Sequence, residues 1–307
     1  MEINNNITGQ NSAPWLYFPL IPNIGKFFRL RFIEFKELIR ATKYLGFLTP
    51  LVIFWIINLC VYSFIYPIVR IALGKEKSYN ICNYITKTPA PPGVFSFPML
   101  LRSKIALRKN VDWGIFIEIC VRDVYHKDTL KEGMNVIDIG AHIGIYTVLA
   151  AEKIGDMGKV IAVEPGARNY ERILENIRIN NFNHVIVKKM ALSDHNGQEK
   201  LYVSPSSVRH SLMLHGQEYT WTEVTVKTLD ALLEELDAQK VNIIKIDAEG
   251  AEIPILRGSQ KTLKNNPNVK IIVASYHYPD EVKEVRDFLR HMGFKTTVSS
   301  FDIVTTI

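Results

Sequence analysis

Cysteine is scarce. Cys60, Cys82 and Cys120 are an odd number without metal-type spacing, and Cys60 lies inside an apolar run. This excludes a disulfide framework and a cysteine zinc site, and it implies buried or free thiols in a reducing compartment. The sequence has no internal repeat and no low-complexity tract. Residues 1–14 are polar and rich in Asn, with no basic n-region and no small-residue cleavage site, so no secretory signal is expected. Also missing is the Gly-x-Gly-x-x-Gly fingerprint of dinucleotide sites: after Gly140 its second and third glycine places hold His142 and Ile145, which argues against NAD or FAD. Basic charge is short where a nucleic-acid enzyme would need it. Residues 1–132 carry 17 Lys/Arg against 9 Asp/Glu, whereas residues 133–307 carry 20 against 22, so the net +6 resides entirely in the first part. A nucleic-acid partner is therefore not expected.

That first part is basic and apolar by turns. Phe28, Phe32, Phe35 and Ile39 recur at helical spacing, with Lys26, Arg29, Arg31, Lys36 and Arg40 between them, the pattern of a basic amphipathic helix suited to an anionic membrane surface. Tyr44 to Val69 follows without a charge, long enough to cross a bilayer, although Pro50, Asn58 and Pro67 interrupt it and Lys43 and Arg70 flank it evenly. Residues 22–73 are thus read as membrane-associated, as a span or a half-inserted hairpin, on the cytoplasmic face. A helical cap packed on the protein's own core is the alternative. Thr88-Pro-Ala-Pro-Pro-Gly93 is linker chemistry, which divides the chain into an attachment region, 1–95, and a catalytic domain, 96–307. Pro98 to Asp128 reads as a helical lead-in, with Trp113, Ile117, Cys120 and Val124 spaced to pack on a sheet.

From Met134 the periodicity alternates. Strands are predicted at 135–139, 159–164, 184–189, 242–247 and 270–276, and helices at 144–154, 167–180, 228–238, 251–264 and 279–292. This predicts an α/β, doubly wound and mostly parallel sheet with helices on both faces, closed by a hairpin at 295–299 and 302–307. Short strands at 198–203 and 223–226 bracket a polar loop, 204–219, longer than a connection requires and hence a candidate lid; Ser206, Ser207, Arg209, His210 and His215 on it are candidate substrate contacts.

In such a sheet the ligand lies beyond the carboxyl ends of the strands. After the first strand, Asp138, Gly140, His142 and Gly144 make a turn suited to a ligand with a cationic amino-acid end and no phosphate. S-adenosylmethionine fits, with Asp138 holding its ammonium and the glycines admitting it to the backbone. Glu164, after the second strand, is placed to accept both ribose hydroxyls. After the third, Met190 and Ala191 can pack on the adenine, and Ser193 or Asp194 can bind its amino group. After the fourth, Asp247, Glu249 and Glu252 surround Gly250; Asp247 and Glu249 can orient an acceptor hydroxyl, take its proton or bind a divalent metal, and Asp247 also borders the cofactor. Glu252 reads as a helix cap or ion-pair partner. After the fifth, His277 is a candidate base. No metal-ligand set is assigned.

The segments Val136-Ile-Asp-Ile-Gly-Ala-His-Ile-Gly-Ile-Tyr-Thr147, Val160-Ile-Ala-Val-Glu-Pro165, Ala191-Leu-Ser-Asp194, Lys227-Thr-Leu-Asp230 and Lys245-Ile-Asp-Ala-Glu-Gly-Ala-Glu252 together resemble the FkbM family of S-adenosylmethionine-dependent methyltransferases, over roughly residues 121–307. The resemblance implies a class I methyltransferase fold and O-methylation of a sugar, glycolipid or similar hydroxylated molecule. It carries Asp138, Gly140, Gly144, Glu164 and Asp247 over as cofactor contacts and leaves the base open. A nucleic-acid methyltransferase and a non-catalytic scaffold with a degenerate pocket are the rival readings.

Overall fold

The structure, a computed structural model, describes residues 93–97, 101–108, 110–203, 220–299 and 301–306. The amphipathic helix, the apolar segment and most of the linker read from the sequence therefore lie outside the described residues, as does the loop 204–219. Among the described residues no helix is long and apolar enough to cross a membrane. Pro91–Ile307 forms one compact unit.

Its centre is a seven-stranded sheet ordered β11-β12-β10-β9-β3-β4-β5, built from β3 (Asn135–Ile139), β4 (Lys159–Val163), β5 (Val185–Lys188), β9 (Ile243–Ile246), β10 (Lys270–Ala274), β11 (Thr296–Val298) and β12 (Ile303–Thr306). Strands β5, β4, β3, β9 and β10 pair in parallel, while β12 runs antiparallel to both β10 and β11. The chain starts at β3, moves outward through β4 and β5, then returns to the other side of β3 at β9. The switch point thus falls between β3 and β9, the place where an open α/β sheet leaves a crevice. With an antiparallel seventh strand between the fifth and sixth, this order is that of class I methyltransferases. Helices α2 (Ile145–Ile154), α3 (Ala167–Arg178), α4 (Leu229–Glu235), α5 (Glu252–Arg257), α6 (Gln260–Asn265) and α7 (Glu281–His291) connect the strands. The strands are nearly continuous apolar runs because the sheet is covered on both faces. Ile137, Ile161, Ile244, Ile271 and Val273 are buried in one core with Leu232, Leu256 and Val285 from the helices.

Two elements differ from the sequence prediction. The lead-in is not all helix: Leu101–Leu107 forms β2, paired antiparallel with β1 (Gly93–Phe97). Its amides explain why. Lys104 N–H donates to Asn180 Oδ1 at 2.7 Å and Ala106 N–H to Asn176 Oδ1 at 2.8 Å. Two strand residues rise about 6.6 Å and four helical residues about 6 Å, so Asn176 in the last turn of α3 and Asn180 in the turn just past it match alternate strand amides. Helix α1 (Asn110–Phe116) follows and continues as one π-helical stretch, Ile117–Val121. Trp113, Cys120 and Val124 on this segment are buried, as their spacing predicted, whereas Ile117 is only half-buried. The second difference is a break at 258–259 in the helix predicted over 251–264. A Cβ on Gly258 would stand 2.0 Å from the Ser193 carbonyl oxygen, so the chain passes the Ser193–Asp194 backbone too closely for a continuous helix with side chains there. Strands β6 (Ala191–Leu192), β7 (Gly197–Val203) and β8 (Thr220–Lys227) form a separate small sheet, order β6-β8-β7.

Candidate active site

The turn after β3 carries three left-handed backbone positions: Gly140 (φ 70°), His142 (φ 52°) and Gly144 (φ 84°). Gly140 is required by contact as well as by conformation. A Cβ there would lie 1.8 Å from the Asp247 carbonyl oxygen at the end of β9, so the two strand ends meet over this residue. Asp247 N–H also donates to Ile139 O at 3.1 Å, and Gly140 and Ala141 N–H both donate to Val163 O. The resulting cradle is bare backbone, which suits a ligand that lies flat against the strand ends.

Glu164, at the end of β4, is buried. Its Oε2 accepts from His142 N–H at 2.9 Å, and its Oε1 accepts from Gly166 N–H at 2.9 Å and Asn169 Nδ2 at 3.3 Å. These bonds occupy three of roughly four lone-pair sites on a carboxylate. Burial pushes the carboxyl up to about 7 against the lowering effect of those bonds and of Lys245. Met190 packs half-buried against the core, Ala191 and Ser193 are buried, and Asp194 is exposed, its Oδ1 3.1 Å from the His195 ring.

Asp138 is 0% exposed. Thr147 donates its hydroxyl to Oδ2 at 2.6 Å, and Lys245 Nζ, on β9, stands 3.0 Å from Oδ1. Lys245 is 3% exposed, donates to Gly140 O at 2.7 Å and lies 5.4 Å from the Tyr125 ring centroid. Asp138 thus has a cation of its own within the protein, beside the ammonium role read from the sequence. Sequence reasoning missed Lys245, although a signal was present: Asp138 and Lys245 interrupt two apolar strands and face each other in register.

The other half of the site is made of side chains. Tyr125 donates its hydroxyl to Asp247 Oδ2 at 2.6 Å, and His277 Nε2 lies 3.4 Å from Oδ1. Behind the ring, His277 Nδ1 is 3.3 Å from both Glu252 Oε1 and Glu281 Oε2. Glu252 and Glu281 are fully buried, each tied to a backbone amide: Ala248 N–H donates to Glu252 Oε1 at 2.8 Å and His277 N–H to Glu281 Oε2 at 2.7 Å. Burial acts to raise the Asp247 pKa, but His277, Lys245 and Tyr125 outweigh it and hold the carboxyl well below the usual range. Burial disfavours charge on His277, yet Glu252, Asp247 and Glu281 overcome it and raise the imidazole well above its ordinary value. These three carboxylates favour the protonated ring, which works against the base role read for His277 from the sequence. Of the two roles expected of it, Glu252 fills that of ion-pair partner to His277; it caps no helix amide, since Ala248 precedes the helix. Glu249 stands half-buried at φ 54°. The π-helical stretch brings Glu118 near; burial first, and the Asp247 charge in addition, raise its carboxyl, with Arg122 opposing. Tyr276 is 52% exposed, its ring centroid 4.6 Å from that of His277.

Asp247, Glu249 and His277, each a separate candidate in the sequence, lie within 4.8 Å of one another; Tyr125, Glu281 and Glu118 were not foreseen. His210 and His215 lie outside the described residues.

The Methyltransferase FkbM domain model matches residues 138–296, from the acid of the first turn to the start of β11. The chain is 25% identical over 169 residues to the hexuronic acid methyltransferase AglP of Haloferax volcanii, covering 54% of this chain and 65% of that protein. It is 25% identical over 164 residues to methyltransferase 1 of Beauveria bassiana, covering 47% of this chain and 64% of that one. The matches therefore span somewhat less than two thirds of each of these relatives. A crystal structure of an FkbM methyltransferase from Methylobacillus flagellatus is similar at a TM-score of 0.44 and 14% identity, over 57% of this chain and 43% of that one. With the domain model covering more than half of the residues, from Asp138 to the start of β11, the chain belongs to the FkbM family of methyltransferases.

Proposed function

We propose that this protein transfers the methyl group of S-adenosylmethionine to a hydroxyl of a saccharide or saccharide-bearing lipid. The observation that carries this reading is the meeting of Gly140 and Asp247 at the switch point. A bare backbone cradle for the donor adjoins a fixed carboxylate for the acceptor. Gly140, His142 and Gly144 shape the cradle, Glu164 faces the ribose, and Met190, Ala191 and Asp194 border the adenine. When bound, the cofactor supplies an electrophilic methyl on a sulfonium sulfur; its transfer breaks that S–C bond, forms an O–C bond and releases a neutral thioether and the hydroxyl proton.

The chain's own residues then have two tasks. Asp247, held by Tyr125 and His277, accepts the acceptor's O–H and fixes its line of approach. A strongly ionised carboxylate is a weak base, but an alcohol oxygen becomes acidic as the methyl arrives, so a late proton transfer to Asp247 or Glu249 suffices. The saccharide acceptor rests on the relationship to a hexuronic acid methyltransferase and on the exposed Tyr276 ring beside the carboxylates, a face on which a sugar can stack. Residues 1–95 are proposed to hold domain 96–307 at the cytoplasmic face of a membrane that carries the acceptor. The near-neutral charge of residues 133–307 disfavours the nucleic-acid alternative.

The test is mass spectrometry of products from the full chain with cofactor and a panel of uronic-acid and neutral glycans, free and lipid-linked. A gain of one methyl per acceptor, lost in Asp247→Asn, is expected. Absence of cofactor-dependent thermal stabilisation in the wild type would sink the reading.

A further inference from the structure

We propose that Asp247, Glu249 and His277 bind a divalent cation of the Mn²⁺ class at the acceptor end of the crevice. The binding itself is argued from the side chains; its role in the reaction rests on the methyl-transfer reading above.

His277 is the first observation. Its side chain is 5% exposed, and neither ring nitrogen makes a hydrogen bond; the nearest carboxylate oxygens stand 3.3–3.4 Å away. Histidines that bind metals commonly use one nitrogen for the ion and give the other N–H to a carboxylate that fixes the ring. Glu252 and Glu281, buried and anchored on backbone amides, stand on the Nδ1 side. A proton on Nδ1 leaves the Nε2 lone pair directed at the Asp247 side. A cation there meets the Nε2 lone pair and Asp247 Oδ1, which stand 3.4 Å apart.

The donor set is the second. One ligand atom each from Asp247, Glu249 and His277 lies within 4.8 Å of the others. Donors bound at about 2.1 Å to a common ion stand roughly 3–4 Å apart, so small side-chain rotations close the set. Two carboxylates and one imidazole form a mixed oxygen and nitrogen set that suits Mn²⁺, with positions left for acceptor oxygens. Tyr125 orients Asp247 from behind, as the two buried glutamates orient the ring. The fully buried alternative, Glu252, His277 and Glu281, has both acids committed to backbone amides and offers no face to an acceptor.

Charge is the third. Glu118, Asp247 and Glu249 gather acids where the acceptor enters. A uronic acid brings one more carboxylate to this cluster. A divalent cation offsets that charge, and it chelates a hydroxyl together with a neighbouring carboxylate or second hydroxyl, acidifying the hydroxyl to be methylated.

The experiment is a Mn²⁺ titration of the full chain, read by loss of the free-ion electron paramagnetic resonance signal, with cofactor binding measured by calorimetry on the same wild-type sample. One Mn²⁺ per chain is expected, at least tenfold weaker in Asp247→Asn and Glu249→Gln, and weaker by about tenfold in Glu281→Gln. No saturable binding at millimolar Mn²⁺, or wild-type affinity in Glu249→Gln, overturns the proposal; Glu249 is half-buried, so this variant decides the matter if Asp247→Asn does not fold. Cofactor bound without Mn²⁺ refutes the cation and leaves methyl transfer standing. Mn²⁺ bound without cofactor leaves the cation site and refutes methyl transfer.

Discussion

The two sides of the crevice are built from different materials. The proposed cofactor side, from Gly140 to Glu164, is a run of backbone amides and carbonyls whose parts lie within about one βαβ unit of each other. The proposed acceptor side is a chain of side chains, Tyr125, Asp247, His277, Glu252 and Glu281, whose first link joins residues 122 positions apart. A backbone cradle depends on turn geometry and tolerates little change in shape. A side-chain chain depends on charge balance and can be altered one member at a time. Lys245 joins the two, since it neutralises Asp138 under the cradle and helps to depress Asp247.

The largest break in this division is expected from Lys245→Met. It leaves Asp138 buried and uncompensated, a loss of about 3–5 kcal/mol by urea unfolding, with much of it recovered when Asp138→Asn is added. Full stability in the single variant would mean that the cradle does not lean on the charge beneath it. Gly140→Ala comes next. The left-handed conformation costs about 1–2 kcal/mol and displacement of Asp247 about 1–3 kcal/mol more, so both cofactor and acceptor functions should fall together; a variant that loses only cofactor affinity would separate the sides.

The most gradual effect is the pH dependence of Glu164. Its folded value of about 7 lies above the ordinary 4.5, so its contribution to stability is fully present below pH 4.5 and is lost as the pH rises through about 7. The stability of wild type minus that of Glu164→Gln should decline across that window by up to about 1.4 kcal/mol per pH unit. A flat difference would show that its three donors, rather than burial, set its charge.

The same division explains what was legible in the sequence. Strand and helix alternation, and the glycine turn after β3, are local patterns, and β3, β4, β9 and β10 begin and end within about two residues of their predicted bounds. Asp247, Glu249 and His277 were legible as residues that follow strands. Their partners were not: Tyr125 and Glu281 gain meaning only when the sheet brings β9 and β10 side by side. Strand β2 was read as helix because its decisive feature, the two asparagines in and just past the last turn of α3, lies some 70 residues away. The break at Gly258 was likewise set by a distant neighbour, the Ser193 carbonyl.

That break makes α5 a spacer. The helix begins at Glu252, which faces His277, and ends where Gly258 rests on the Ser193–Asp194 backbone. Six residues at 1.5 Å each give a strut of about 9 Å between the two halves of the crevice. A rod of fixed length thus ties the His277 cluster to the Ser193–Asp194 backbone, and a single residue inserted between Glu252 and Gly258 would turn one end against the other by about 100°.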